Sequence, residues 1–337
     1  MNSLRPNDQL GRPLHDLRIS VTDRCNFRCT YCMPREVFGA DYPFLPRGEI
    51  LSFEEITRLT RVFASLGVEK IRLTGGEPLL RRDLPRLVGM LRSIDGIQDL
   101  ALTTNGSLLD KLAVPLREAG LGRLTVSLDS LNDAIFAAIN DAGFPVDRVL
   151  RGIDAGLAAG FAPIKINMVV KRGVNDHEVA AMAERFSAPE LILRFIEYMD
   201  VGHTNGWKLD DYVAADEIVA RLETALPLVR LPPNYAGEVA RRYRHPSGGE
   251  IGVISSVSQP FCRGCTRARM SADGRLFTCL FATHGYDLRG PLRGGASDEE
   301  LRRLVGAHWA AREDRYSEIR FEHPPSEPKA EMSLLGG

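Results

Sequence analysis

Cys25-Asn26-Phe27-Arg28-Cys29-Thr30-Tyr31-Cys32 spaces three thiols as C-x3-C-x2-C, and no fourth cysteine lies nearby. Three thiolates on one tight loop suit three irons of a cubane iron–sulfur cluster and leave the fourth iron without a protein ligand. An open position on a metal is where chemistry is done, as in catalytic zinc sites. A purely structural cluster closes that position with a fourth thiolate. The loop follows the apolar strand Leu17 to Val21, which puts the cysteines at a strand's C-terminal end.

Outward from this loop the strand-then-turn pattern recurs. Lys70 to Thr74 ends in Gly75-Gly76-Glu77-Pro78, Asp99 to Thr104 in Asn105-Gly106, and Arg123 to Leu128 in Asp129; Pro163 to Val170 and Leu191 to Met199 follow. Helical segments lie between them. Ser52 with Glu55 forms a capping box that starts a helix to about Leu66. Another starts near Asp83, and Asp147 to Gly160 carries Gly152, Gly156 and Gly160 on one face. The charges of Arg148, Arg151 and Asp154 exclude a membrane helix pair there and leave close packing on a sheet. Six β-α units predict a parallel sheet with helices outside. In such folds sites form at the C-terminal strand ends. The cysteine loop, Gly75-Gly76, Thr103-Thr104, Ser127 and Met199 all fall there. Periodicity does not separate a barrel from an open sheet.

Past Tyr212 the pattern changes to a helix (about Ala214 to Ala225) and the short strands Leu228 to Leu231, Val239 to Tyr243, Glu250 to Ile254 and Arg275 to Thr278. Asp273-Gly274 signals a hairpin, and a helix follows from about Asp298 to Ala310. The division expected is 1–211, a smaller α+β region 212–322, and a tail 323–337. The tail's three prolines and composition read as disorder. The smaller region carries Cys262, Cys265 and Cys279, spaced C-x2-C-x13-C. That spacing suits zinc completed by His284 or His245, and equally a second open cluster. The first triplet favours the cluster. Six cysteines are an even number, but a long chain without a leader-like start and with clustered cysteines argues against disulfides.

Arg263, Arg267 and Arg269 flank the second triplet, and the latter two share a face in extended chain. Beside metal ligands they form a candidate anion site, because guanidinium groups bind phosphate oxygens bidentately. The chain has neither a G-x4-G-K-[ST] loop nor a G-x-G-x2-G fingerprint, so side chains must hold any polyphosphate. Arg18, Arg72 and Lys165 on strands are the other candidate cations; the alternative for each is a buried ion pair.

The chain has 337 residues, room for about two domains. Its 43 basic and 44 acidic residues nearly cancel, which argues against bulk binding of nucleic acid or anionic membrane. No stretch approaches the ~20 apolar residues of a spanning helix. These features lead to the expectation of a soluble, cytoplasmic protein.

Taken together, the C-x3-C-x2-C loop with its aromatic Tyr31, the Gly75-Gly76-Glu77-Pro78 turn, Phe195 to Asp200, Cys262 to Arg269 and the Gly336-Gly337 end resemble the GTP 3′,8-cyclase family. These radical S-adenosylmethionine (SAM) enzymes open molybdenum cofactor biosynthesis. The resemblance runs from about Leu17 to Gly337, with Leu335 where isoleucine is common. It implies a partial six-unit β/α barrel and two [4Fe-4S] clusters. Cys25, Cys29 and Cys32 would hold the SAM cluster, and Tyr31, Gly76, Ser127 and Met199 would contact SAM. Glycine at 76 is expected to let the backbone approach that ligand. Cys262, Cys265 and Cys279 would hold the second cluster against the guanine of GTP. Arg18, Arg72, Thr103, Lys165, Arg267 and Arg269 would bind the nucleotide. Gly336 and Gly337, with Arg18, would assist the reaction. An external one-electron donor and the next enzyme, cyclic pyranopterin phosphate synthase, are the implied partners of a monomer or homodimer. The rivals are a peptide-modifying radical SAM enzyme and a non-enzymatic zinc module.

Overall fold

The computed structural model describes residues 5–235, 237–322 and 327–336. Twelve strands form one sheet: β1 (Asp16–Ser20), β2 (Lys70–Thr74), β3 (Asp99–Thr104), β4 (Arg123–Ser127), β5 (Ile164–Val170), β6 (Leu191–Glu197), β7 (Val229–Leu231), β8 (Ala240–Arg244), β9 (Glu250–Ile254), β10 (Arg267–Met270), β11 (Arg275–Phe277) and β12 (Tyr286–Asp287). β1 to β6 are parallel neighbours in chain order, as the six-unit pattern predicts. They build the partial barrel with helices outside.

The C-terminal chain builds no separate sheet. It extends the barrel at both edges, with β9 parallel to β6 and β10 parallel to β1. Among the described residues no pairing joins β9 to β10, so the barrel stays open on that side. The segment 255–266 crosses the opening and carries Cys262 and Cys265. β10 was not expected from the sequence as a strand. It is four residues long, half of them arginine, and its parallel partner lies about 250 positions earlier.

Alternation on the strands sorts the two faces. Leu17, Ile19, Ile71, Leu73, Ile166 and Leu193 are fully buried under the helices. Arg18, Arg72, Lys165, Asn167 and Arg194 stand on the other face and line the lumen. The helices follow local rules. Ser52 and Glu55 make the expected capping box at the start of Phe53–Ser65, and Ser297 and Glu300 do the same for Asp298–Ala310. Gly152 must be small, because a Cβ there would lie 2.5 Å from the Gly106 carbonyl oxygen.

The tail departs from the composition-based expectation of disorder. Residues 327–336 pack on the barrel, with Met332–Leu335 helical and Leu335 fully buried. Residues 323–326 and Gly337 lie outside the described residues. No described helix is long and apolar enough to cross a membrane.

Candidate functional site

The loop after β1 is held from three sides. The Arg28 guanidinium donates to the carbonyls of Cys25 (2.8 Å), Phe27 (2.8 Å) and Phe38 (2.7 Å). The backbone amides of Arg28 and Thr30 donate to Asn140 and Ile139. Asn105 donates to Asn26, which in turn donates to Ser107. Gly75 and Gly76 then press on this loop: a Cβ on Gly76 would lie 2.3 Å from the Arg24 carbonyl oxygen and one on Gly75 2.5 Å from that of Thr22. The cysteine loop's own backbone thus demands glycine at 76, a reason the sequence did not show and one that stands beside the expected approach to a ligand, since Gly76 also lines the cavity that both triplets share.

Both triplets line one cavity of about 310 Å³. Tyr31, Gly76, Ser127 and Met199 line the end near the first triplet, and Arg18, Arg72, Thr103, Arg267 and Arg269 reach it as well. Tyr31 donates from its hydroxyl to Asp129 (2.6 Å). Lys165 does not reach this cavity. It lines an adjoining one of about 370 Å³ at the N-terminal strand ends, whose wall shares Arg18, Arg72, Arg194 and Arg267 with the first. The two spaces are neighbouring parts of the barrel lumen.

Six thiols suit metal ligation only as thiolates, and burial opposes that charge. Desolvation pushes Cys25 and Cys279 up to about 12, and Cys29 and Cys32 upward too. Cys265 goes the other way: burial opposes it, but Arg267 and Arg312 prevail and lower it to about 6. Loading metal at these sites must release protons. Among the described residues no group of three or more His, Cys, Asp or Glu is placed to hold a single metal ion. A cubane instead takes one thiolate at each of three irons, and three soft thiols per triplet lining one cavity, with no disulfide among them, fit that donor chemistry. Neither histidine named for a zinc site lines the cavity. His284 bonds Glu327 on an exposed loop, and His245 accepts from the Ser247 amide.

The lumen cations form a row. Register sets Arg18 directly beside Arg72 on one flank and Arg269 on the other. Like charges opposite one another on a sheet repel. Among the described residues none of the three has a carboxylate partner. Arg72 donates to the hydroxyls of Thr103 (3.0 Å) and Thr125 (3.1 Å), and Arg269 Nε is buried without a partner. Desolvation first, then Arg269, Arg72 and Arg267, drive the Arg18 guanidinium well below its usual range. Burial, with Arg194 and Arg123, lowers the Lys165 ammonium to about 7. Among the described residues the ion-pair alternative for these strand cations fails, and the unneutralised row has the charge and spacing to suit a polyanion.

The sequence reading missed Arg194, whose signal was the one found for Lys165: a lone cation inside the strand Leu191–Glu197. It also missed Glu77 and Asp129, both lining the cavity. Glu77 accepts from the Leu79 and Asn105 amides and the Thr104 hydroxyl. Gly336 does not line the cavity but packs behind it. Its φ is +69°, and a Cβ there would fall 2.0 Å from Thr74, a lining residue.

A family model for the Radical SAM superfamily matches residues 19–186, and one described as Molybdenum Cofactor Synthesis C matches 191–318. The GTP 3′,8-cyclase of Acidothermus cellulolyticus is 58% identical over 98% of both chains. This chain belongs to the GTP 3′,8-cyclase family. The Staphylococcus saprophyticus member is 47% identical, again over 98% of each chain. Among solved structures, Streptococcus suis SuiB bound to precursor peptide SuiA aligns with a TM-score of 0.61 at 15% identity, covering 97% of this chain and 78% of that one. At that identity the likeness speaks for the radical SAM barrel alone. As a radical SAM family member the protein is an enzyme that uses SAM and an iron–sulfur cluster.

Proposed function

We propose that this enzyme converts GTP to (8S)-3′,8-cyclo-7,8-dihydroguanosine 5′-triphosphate, the first step of molybdenum cofactor biosynthesis. The observation that carries the proposal is the meeting of two cysteine triplets and an unneutralised arginine row in one lumen. Cys25, Cys29 and Cys32 would hold the SAM cluster; Cys262, Cys265 and Cys279 would hold a second cluster facing guanine. When bound, SAM and its cluster supply a 5′-deoxyadenosyl radical, at the expense of one electron from an external donor. In GTP the C3′–H bond would break, its hydrogen atom passing to the deoxyadenosyl carbon, a C3′–C8 bond would form, and a second electron from the external donor with one proton would complete the product.

The chain's own groups position and shield. Tyr31, Gly76, Ser127 and Met199 form the wall against which SAM would lie. Arg18, Arg72 and Arg269, with Arg267, Lys165 and Thr103, would fix the nucleotide, the cations mainly on its triphosphate. Held this way the sugar presents one hydrogen to the SAM end, and orientation does much of the catalytic work. The tail, whose Gly336 packs against Thr74, would assist the reaction. Six free thiols suit the reducing cytoplasm. The product would pass to cyclic pyranopterin phosphate synthase, the enzyme acting as a monomer or homodimer; 1–211, 212–322 and 323–337 would be functional regions carrying the SAM site, the second cluster and the tail, with the first two sharing one sheet.

The experiment is anaerobic incubation of reconstituted protein with GTP, SAM and a strong reductant. The cyclised nucleotide and 5′-deoxyadenosine should appear in equal amounts. Deoxyadenosine without a GTP-derived product would overturn the substrate assignment.

A further inference from the structure

The first cysteine loop carries its own clamp, Arg28. The second has no such residue, and its support comes from far along the chain. Arg12, near the N-terminus, donates from Nη1 to the Cys262 carbonyl (2.8 Å). Arg312, just past the helix Asp298–Ala310, donates from Nη1 to the Cys265 carbonyl (2.7 Å). Asp8 joins the two guanidinium groups, accepting from Arg12 Nε at 2.6 Å and Arg312 Nη1 at 3.1 Å. The third cysteine is reached through Asp314, whose side chain lies 3.4 Å from Arg312 and accepts from the hydroxyl of Thr278, beside Cys279 (2.6 Å).

This network is buried and fixed. Asp8, Arg12 and Arg312 are 6%, 2% and 4% exposed. Trp309 donates its indole NH to the Arg12 carbonyl, and the Arg312 guanidinium lies over the Trp309 ring. Two segments distant in sequence, 8–12 and 309–314, thus converge on one cysteine site. A buried charge network of this kind is weak evidence for global stability; here its donors end on the carbonyls of Cys262 and Cys265, which points to a local role.

We infer that Asp8, Arg12, Arg312 and Asp314 are positioning residues for the C-terminal cysteine site, setting the separation of its three thiols. The inference rests on the proposal that this triplet holds a cluster. Groups one shell out from a metal typically change its retention 10- to 100-fold when removed. The effect must be confined to this site, because Arg28 serves the other.

The test uses full-length protein in two backgrounds. Cys25→Ser/Cys29→Ser/Cys32→Ser leaves only the C-terminal site, and Cys262→Ser/Cys265→Ser/Cys279→Ser leaves only the first. Iron content, the rate of iron release to a chelator and the cluster's reduction potential are measured with and without Arg12→Met. In the first background Arg12→Met should speed iron release at least about tenfold and shift the potential, with partial rescue by Arg12→Lys. In the second background nothing should change. Equal loss in both backgrounds would show a global folding role and overturn the inference, as would no change in either. Absence of iron from the first background with Arg12 intact would sink the second-cluster proposal itself, and the inference with it. If Arg12→Met fails to fold, Asp314→Asn carries the test, since its side chain is 32% exposed.

Discussion

Arg18 stands in the lumen with Arg72 and Arg269 as its cross-strand neighbours, and Arg267 adds a fourth charge to the same wall. Each charge-assisted hydrogen bond to phosphate is worth about 1.5–3 kcal/mol. Arg267→Ala should therefore weaken GTP binding roughly 10- to 100-fold while iron content stays unchanged; calorimetry and an iron assay on the same sample check both. Loss of iron would make Arg267 structural. Lys165 gives a pH signature. Its ammonium, lowered to about 7, is largely neutral at pH 8 in the empty lumen. A polyanion raises that value, so GTP binding at pH 8 should take up a proton, and the uptake should fade as pH drops below about 7. Calorimetry in buffers of different ionisation enthalpy measures this, and Lys165→Met should abolish it. At this scale the sequence was informative: the two cysteine triplets and the lone strand cations stand out as candidates from residue type and spacing alone. Arg194 was equally visible and overlooked.

The turn after β2 shows where local reasoning reached a residue without seeing all that demands it. Gly76 was expected to yield space to a ligand; its missing side chain also yields to the Arg24 carbonyl. Gly76→Ala should therefore displace the first cysteine loop and drop iron from about eight to about four per chain, rather than merely raise the KM for SAM. Iron analysis with SAM kinetics separates the two. β2, β3, β9 and the helix Asp298–Ala310 were legible to the residue because hydrophobic alternation, turns and caps agree there. β10 was not, because a four-residue strand carries little pattern of its own. Its position is fixed by pairing with β1, a contact no local window contains.

At the scale of the whole molecule, the C-terminal chain grips both edges of the barrel and then returns along its mouth. Composition hid this return, since prolines and polar residues dominate the tail. Its order comes from specific partners instead. Lys329 donates to the backbone and carboxylate of Asp200, Glu331 accepts from Thr204 (3.0 Å) and His203, and Ser20 donates to the Leu334 carbonyl (2.8 Å). Asp200 follows Met199, so the latch closes beside the proposed SAM wall. Lys329→Met should raise amide exchange across 332–336 and cut turnover at least about tenfold, with iron content unchanged. Hydrogen-exchange mass spectrometry and an activity assay report the two effects.

Two clusters, each with one open iron, should share a single lumen. Mössbauer and EPR spectra of oxygen-protected, reconstituted protein test it most directly. About eight irons per chain are expected. SAM should alter the signal lost with Cys25, Cys29 and Cys32, and GTP the signal lost with Cys262, Cys265 and Cys279. A reproducible four irons with one zinc, or a GTP response that survives loss of the second triplet, would contradict it.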